Sequence, residues 1–317
     1  MRTIQITRVP LRVSLAGGGC DFPEYYTMPG KMCRIFSLPI DKYIWITLSE
    51  RFDSEVFVGY RATEIAQTIH DIKHPLVRTI FEAYHMPETH LEVHLIANLS
   101  GNGTGLGSSS ALAVGLVQAC RRWQGHSELA WQELAKQAWA FERASGAKVG
   151  IQDHLPAASY LNYFEIDHTN LLLGEAIPAA YMQELIDNLL LFHIENRTID
   201  GKVILRHISE EPNEAVMDAL SKQAESMRQV VNRKTWDEVG GILHEGWLLK
   251  KKLHKRISND TIDEAYAEAI RAGALGGKLC GAGGGGFLLL YATPGAQEAV
   301  RKAMKGRGYR ELTWSIA

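Results

Sequence analysis

The sequence predicts an α+β protein built in two halves. Strand-like and helix-like patterns are mixed along both halves rather than segregated or strictly alternating. The length of 317 residues is generous for one domain and comfortable for two. Apolar residues make up 46% of the chain, enough for packed cores. No Pro- or Ser-rich linker divides the halves. The division is placed near residue 168, giving an N-terminal domain over 1–168 and a C-terminal domain over 169–317.

The elements are read from periodicity in chain order. Met1 to Val9 alternates as a strand does, and Leu11, Val13 and Leu15 share one face with Arg12 and Ser14 on the other. Strand patterns recur at Asp41–Leu48, Glu55–Val58 and Leu91–Ala97. Helical spacing covers about 62–85, 110–123 and 128–144. The second half opens on a strand near Tyr160–Ile166, with another at Leu189–His193. Long helical patterns follow across 213–256, then a helix at Thr261–Ala272 and an apolar strand at Phe287–Ala292. Thr293-Pro294 starts a helix with proline in its first position. Leu312, Trp314 and Ile316 alternate as a closing strand.

A net charge of −2 gives no general attraction to nucleic acid or to an anionic membrane. Cys20, Cys33, Cys120 and Cys280 have no metal-ligand spacing and read as reduced thiols of a cytoplasmic protein. The N-terminus does not read as a signal peptide, and no apolar run approaches the roughly 18 residues of a membrane helix. No nucleic-acid or membrane partner is expected, and a homodimer is allowed.

The segment richest in chemistry runs from Gly101 through Gly103, Gly105, Leu106 and Gly107 to Ser108, Ser109 and Ser110. It joins the strand at 91–97 to the helix that begins near 110. Glycines let backbone approach a ligand closely, and the unpaired N–H groups of a helix start attract an anion. Three serines add hydroxyls for phosphate or metal. The reading is a polyphosphate cradle, against the alternative of a surface loop with a serine cap. No Gly-Lys-Ser/Thr closes it, so it is not the Walker loop. Gly281, Gly283 and Gly286 fit G-x-G-x-x-G, but a helix precedes them and a strand follows, the reverse of the dinucleotide order. No His-Glu-x-x-His and no Gly-x-Ser-x-Gly occurs.

Other candidates lie outside this loop. Arg12 is followed by Ala16-Gly17-Gly18-Gly19-Cys20-Asp21, a turn in which Asp21 could accept hydrogen bonds from sugar hydroxyls. Glu142 falls in the middle of the apolar arc of its helix, where a carboxylate is costly unless metal-bound or paired with Arg or Lys. Asp153 follows a glycine-bearing turn, as a catalytic group or as a helix cap. His154 reads as a packing or surface residue. The run 281–286, including Gly283 and Gly284, makes sense if backbone or ligand packs against it. Lys250–Arg256 reads as a solvated helix face, or else as a site for a phosphate already on the substrate.

These three glycine segments, in this order, resemble the superfamily of galactokinase, homoserine kinase, mevalonate kinase and phosphomevalonate kinase, the GHMP kinases. The segments 10–26, 40–43 and 274–287 are most similar to those of the bacterial D-glycero-D-manno-heptose 7-phosphate kinase family. The resemblance implies an N-terminal domain like ribosomal protein S5 domain 2 and a ferredoxin-like C-terminal domain. It implies an ATP- and Mg2+-dependent kinase that phosphorylates the anomeric hydroxyl of a heptose 7-phosphate. Asp153 then resembles the residue that orients or deprotonates the attacking hydroxyl, and Arg12 the basic group that stabilises it. Glu142 and Ser109 resemble magnesium ligands, and the 101–110 loop the holder of the nucleotide phosphates. Gly18, Gly19, Asp21, Gly283 and Gly284 fall on the sugar side. Another sugar 1-kinase acting on fucose, galactose or free heptose stays open, as does a nucleotide or sugar sensor without turnover.

Overall fold

The structure, a computed structural model, describes residues 4–99, 103–197 and 201–317. Two long strands open it, β1 (Gln5–Ala16) and β2 (Met32–Glu50), with the single-turn helix α1 (Pro23–Tyr26) between them. Next come β3 (Val56–Gly59), β4 (Thr63–Ala66), α2 (Pro75–Ala83) and β5 (Leu91–Ala97). Three helices follow, α3 (Ser108–Trp123), α4 (Trp131–Ala144) and α5 (His154–Ser159). Then β6 (Tyr163–Asp167), β7 (Leu172–Glu175), α6 (Ala179–Ile186) and β8 (Leu189–Glu195) lead to α7 (Gly201–Glu210), α8 (Glu214–Arg233), α9 (Asp237–Lys251) and α10 (Asp260–Arg271). The chain closes with β9 (Gly276–Leu279), β10 (Gly286–Tyr291), α11 (Pro294–Gly306) and β11 (Arg310–Glu311).

Three expectations need correction. The helix expected over 62–85 is confined to α2, because residues 63–66 pair antiparallel with β3 as β4. Pro75 opens α2, where its missing N–H breaks no helical bond. The pattern across 213–256 is two helices, broken where Lys234 takes a left-handed φ of 58° and ending at Lys251. The closing strand expected over 312–316 is reduced to one isolated bridge, Ile40 to Ile316, and the short β11 lies just before it.

By packing, the chain forms two units. The first holds the described residues within 1–11, 42–100 and 108–159, and the second those within 12–41, 101–107 and 160–317. A single cut near 168 does not reproduce this division, because β1 and β2 each pass from one unit into the other.

In the first unit, Ile44–Glu50 of β2 pairs antiparallel with β5, β5 pairs in parallel with β3, and β3 pairs antiparallel with β4. Helices α2, α3, α4 and α5 pack together beside these strands. Val9, Leu48, Val58, Val93, Val114, Leu116 and Leu134 make an apolar core between them.

The second unit contains a sheet in the order β11-β8-β10-β9, antiparallel throughout. Numbered within this sheet that order is 4-1-3-2, with α7–α10 between its first two strands and α11 between its last two. This is the ferredoxin-like arrangement. Every residue of β9 and β10 is buried, and α9 packs on β9. Met32–Phe36 of β2 also pairs with β6, and β6 with β7.

A charged network ties α8 to these last strands. Glu225 pairs with Arg228 at 2.8 Å and lies 2.7 Å from the Tyr163 hydroxyl, which is also 2.8 Å from Glu165. Glu165 accepts from Arg34 at 2.9 Å. The hydrogen bond from Arg228 outweighs partial burial and holds the Glu225 carboxyl down at about 2, against an ordinary 4.5. A carboxylate depressed by folding stabilises the native state above its unfolded pKa and loses that contribution as pH falls through the folded one. Glu225→Gln is therefore expected to lower neutral-pH melting more than acid melting, flattening the loss of stability between pH 4.5 and about 2. Thermal melts of both proteins across that window check it, and parallel acid curves would contradict it.

Among the described residues no helix is long and apolar enough to cross a membrane.

Candidate active site

The first unit carries the acidic residues. Four residues of α4 are buried, Leu134, Ala135, Ala138 and Glu142, and they fall on one stripe at helical spacing. Glu142 is only 2% exposed. Its carboxylate is met by the first turn of α3, where Ser109 donates to Oε1 and Ser110 to Oε2 at 2.8 Å. Nε2 of His154, a wholly buried ring, lies 2.8 Å from Oε2 in an ion-pair contact whose angle is off the hydrogen-bond line. Burial pushes the Glu142 carboxyl up, but the contacts with His154, Ser109 and Ser110 outweigh it and hold it below its ordinary value. Glu142 is thus a carboxylate kept ionised indoors, and its partners are a histidine and two serines rather than the Arg or Lys considered from sequence.

Asp153 stands half-buried in the turn before α5, directly beside His154. One imidazole therefore links the neighbourhoods of the two acidic residues within a single unit. The donor set on Ser109 and Glu142, a hydroxyl oxygen and a carboxylate oxygen at hydrogen-bond distance, fits Mg2+. That ion prefers hard oxygens and takes one or two carboxylates plus phosphates and water rather than an all-protein cage. Among the described residues no cluster of three or more His, Cys, Asp or Glu forms such a cage.

The second unit holds the glycine loops. Arg12 is 2% exposed, so a solvent-facing role is excluded. Its backbone N–H donates to Leu106 O at 3.0 Å and its Nη1 to Gly105 O at 2.7 Å. The Leu106 side chain is wholly buried, so this residue offers backbone only. Gly105 and Gly281 both take left-handed φ, +77° and +70°, and their loops lie back to back. A Cβ on Gly105 would stand 2.4 Å from Cys280 O, and one on Gly281 would stand 2.5 Å from Gly105 Cα. The β10 strand continues the contact, with Phe287 N–H donating to Thr104 O at 3.2 Å. The glycine run 281–286 is thus explained by another backbone packed on it.

The remaining predicted residues are also placed. Gly103 belongs to this loop, Gly107 leads directly into Ser108 at the start of α3, and Gly101 lies outside the described residues. Asp21 is buried and accepts from Gly19 N–H at 3.0 Å, while Gly18 and Gly19 are half-buried. Gly283 and Gly284 are buried against the backbone at 256–257.

Three residues were missed or misread. His154 looked like packing, and only the location of Glu142 reveals its contact. The run 250–256 reads as a solvated helix face or a site for a substrate phosphate, yet Lys250 is buried, with Nζ donating to Leu279 O at 2.9 Å and to Gly281 O. Periodicity could have found it, because Val239, Leu243, Trp247 and Lys250 share one stripe of α9. Lys278, buried in β9 with Nζ donating to Leu15 O at 3.2 Å, gave no periodic signal in so short a strand.

Residues 72–160 match the GHMP kinases N terminal domain, and residues 226–310 match the GHMP kinases C terminal model. The chain is 28% identical to D-glycero-alpha-D-manno-heptose 7-phosphate kinase of Campylobacter jejuni, across 98% of this chain and 95% of that one. The crystal structure of a D-glycero-D-manno-heptose 1-phosphate kinase from Bacteroides thetaiotaomicron superposes with a TM-score of 0.77 at 21% identity, covering 99% of this chain and 96% of that one. The Methanococcus jannaschii mevalonate kinase superposes with a TM-score of 0.74 at 19% identity, covering 99% of both chains. With the two-domain α+β fold and both halves of the family present, the chain belongs to the GHMP kinases and is an ATP-dependent kinase.

Proposed function

We propose that this kinase transfers the terminal phosphoryl group of ATP to the anomeric hydroxyl of D-glycero-D-manno-heptose 7-phosphate, giving the 1,7-bisphosphate for nucleotide-heptose synthesis. The observation that carries the chemistry is the ionised Glu142 held by Ser109, Ser110 and His154 beside Asp153. The end-to-end similarity to a heptose 7-phosphate kinase supports the choice of sugar.

Phosphoryl transfer is mostly positioning and charge neutralisation. The backbone of 103–107 and the first turn of α3 hold the nucleotide phosphates, with Ser108 and Ser110 adding hydroxyls. Ser109 and Glu142 hold Mg2+, which when bound neutralises charge on the phosphate oxygens. Asp153 orients the sugar hydroxyl and receives its proton. Arg12, held by its hydrogen bond to the Gly105 carbonyl, brings its positive charge to the developing oxyanion. Gly18, Gly19 and Asp21, with Gly283 and Gly284, form the sugar side. An anomeric hydroxyl is more acidic than other sugar hydroxyls because the ring oxygen withdraws electrons, so the demand on the base is moderate.

Asp153→Ala is expected to lower kcat by about 10²–10⁴-fold, the scale of one acid–base group. Steady-state kinetics check this, and near-native turnover would remove Asp153 from the mechanism. The substrate is tested by coupled ADP release over heptose 7-phosphates, free heptoses and hexoses, with NMR locating the new ester. Turnover confined to the heptose 7-phosphate with the ester on C1 is expected. Turnover of a free sugar but not its 7-phosphate would assign the enzyme to another sugar.

A further inference from the structure

Two buried lysines in the second unit have no carboxylate paired with them among the described residues. Lys250 and Lys278 are 8% and 5% exposed, and Arg12 beside them is 2% exposed. Each ammonium has three N–H donors. Lys250 spends two of them on Leu279 O and Gly281 O, and Lys278 spends one on Leu15 O. Among the described residues, neither ammonium makes a hydrogen bond or ion pair with a carboxylate. The titratable groups near Lys250 are instead the cations Lys278, Arg12 and Arg197 and the thiol of Cys280, which acts in the opposite direction. Burial and these cations hold Lys250 well below its ordinary range, and burial lowers Lys278 to about 8. Buried cations ordinarily sit opposite anions, since an unanswered charge indoors is expensive.

The carbonyls that anchor these groups belong to loops already described. Leu15 precedes the turn that carries Gly18, Gly19 and Asp21, Gly281 opens the second glycine run, and Arg12 is fixed to Gly105. We propose that Lys250 and Lys278 form a receiving site for a phosphoryl group, their unspent N–H donors meeting its oxygens, with the Arg12 guanidinium adding positive charge beside them. The proposal rests on the kinase reading. Two sources supply this chemistry, the terminal phosphate of the nucleotide and the phosphate already on the sugar.

Calorimetry on the full chain with Mg2+ distinguishes them through two ligand pairs: a non-hydrolysable ATP analogue against ADP, and heptose 7-phosphate against heptose. Lys278→Met and Lys250→Met are each expected to weaken the phosphoryl-bearing member of one pair by about 10–100-fold while sparing its partner, and Lys278→Arg to restore most of the loss. A loss on the ATP analogue assigns the nucleotide's phosphate, and a loss on heptose 7-phosphate assigns the sugar's. Equal weakening of all four ligands, or of none, overturns the proposal. Should a methionine variant fail to fold, lysine-selective 13C NMR of the native protein replaces it. The two buried lysine signals must then move with the phosphoryl-bearing member of one pair and not with its partner, and immobility overturns the proposal. Absence of sugar turnover by the native enzyme would refute the proposed substrate while leaving these binding ratios readable.

Discussion

A single carboxylate, buried and ionised, organises the chemistry of the first unit. Glu142 sits on the apolar stripe of α4, where water does not answer its charge. The cost is offset by Ser109, Ser110 and His154. They come from two directions, the serines from the start of α3 and the histidine from α5. The contact therefore fixes three helices relative to one another. Removing one partner of a buried pair typically costs about 3–5 kcal/mol, because the other charge is left behind. Such a constraint suits a site that must present oxygen ligands in fixed positions. It also sets Asp153, one residue before His154, without asking a flexible loop to place it.

The second unit solves a different problem, that of bringing main chain close to main chain. The 103–107 loop and the 281–286 loop lie in contact because glycine removes the Cβ atoms that would collide. Buried cations then tie down the carbonyls around them, Arg12 at Gly105, Lys250 at Leu279 and Gly281, and Lys278 at Leu15. The region is thereby close-packed in its backbone and rich in buried positive charge.

Much of this was legible in the sequence, and the reasons differ by residue. Glu142 was readable because a 3.6-residue period places a side chain on a face regardless of what packs there. Its partners were not, since His154 is adjacent to Glu142 only through the packing of α5 on α4. The same periodic argument applies to Lys250 in α9, where a run of basic residues masked one member that points inward. The strand pattern put Arg12 opposite Leu11 and Val13, but alternation cannot tell a solvated face from a second buried one, and here both are buried. The stretch 62–85 misled because helical spacing there was shared by a short strand, whose pairing with β3 is a long-range choice. Tertiary context decided it.

We propose that Ser109 and Glu142 together hold the divalent ion that accompanies the nucleotide. Mn2+ substitutes for Mg2+ on such hard-oxygen donors and is directly visible by electron paramagnetic resonance. Titration of Mn2+ into the full chain with ADP, read as loss of the free-ion signal, should show a bound ion in the native protein. Affinity should fall about tenfold or more in Ser109→Ala and in Glu142→Gln while ADP binding without metal is unchanged. Equal Mn2+ retention in all three proteins would contradict the account.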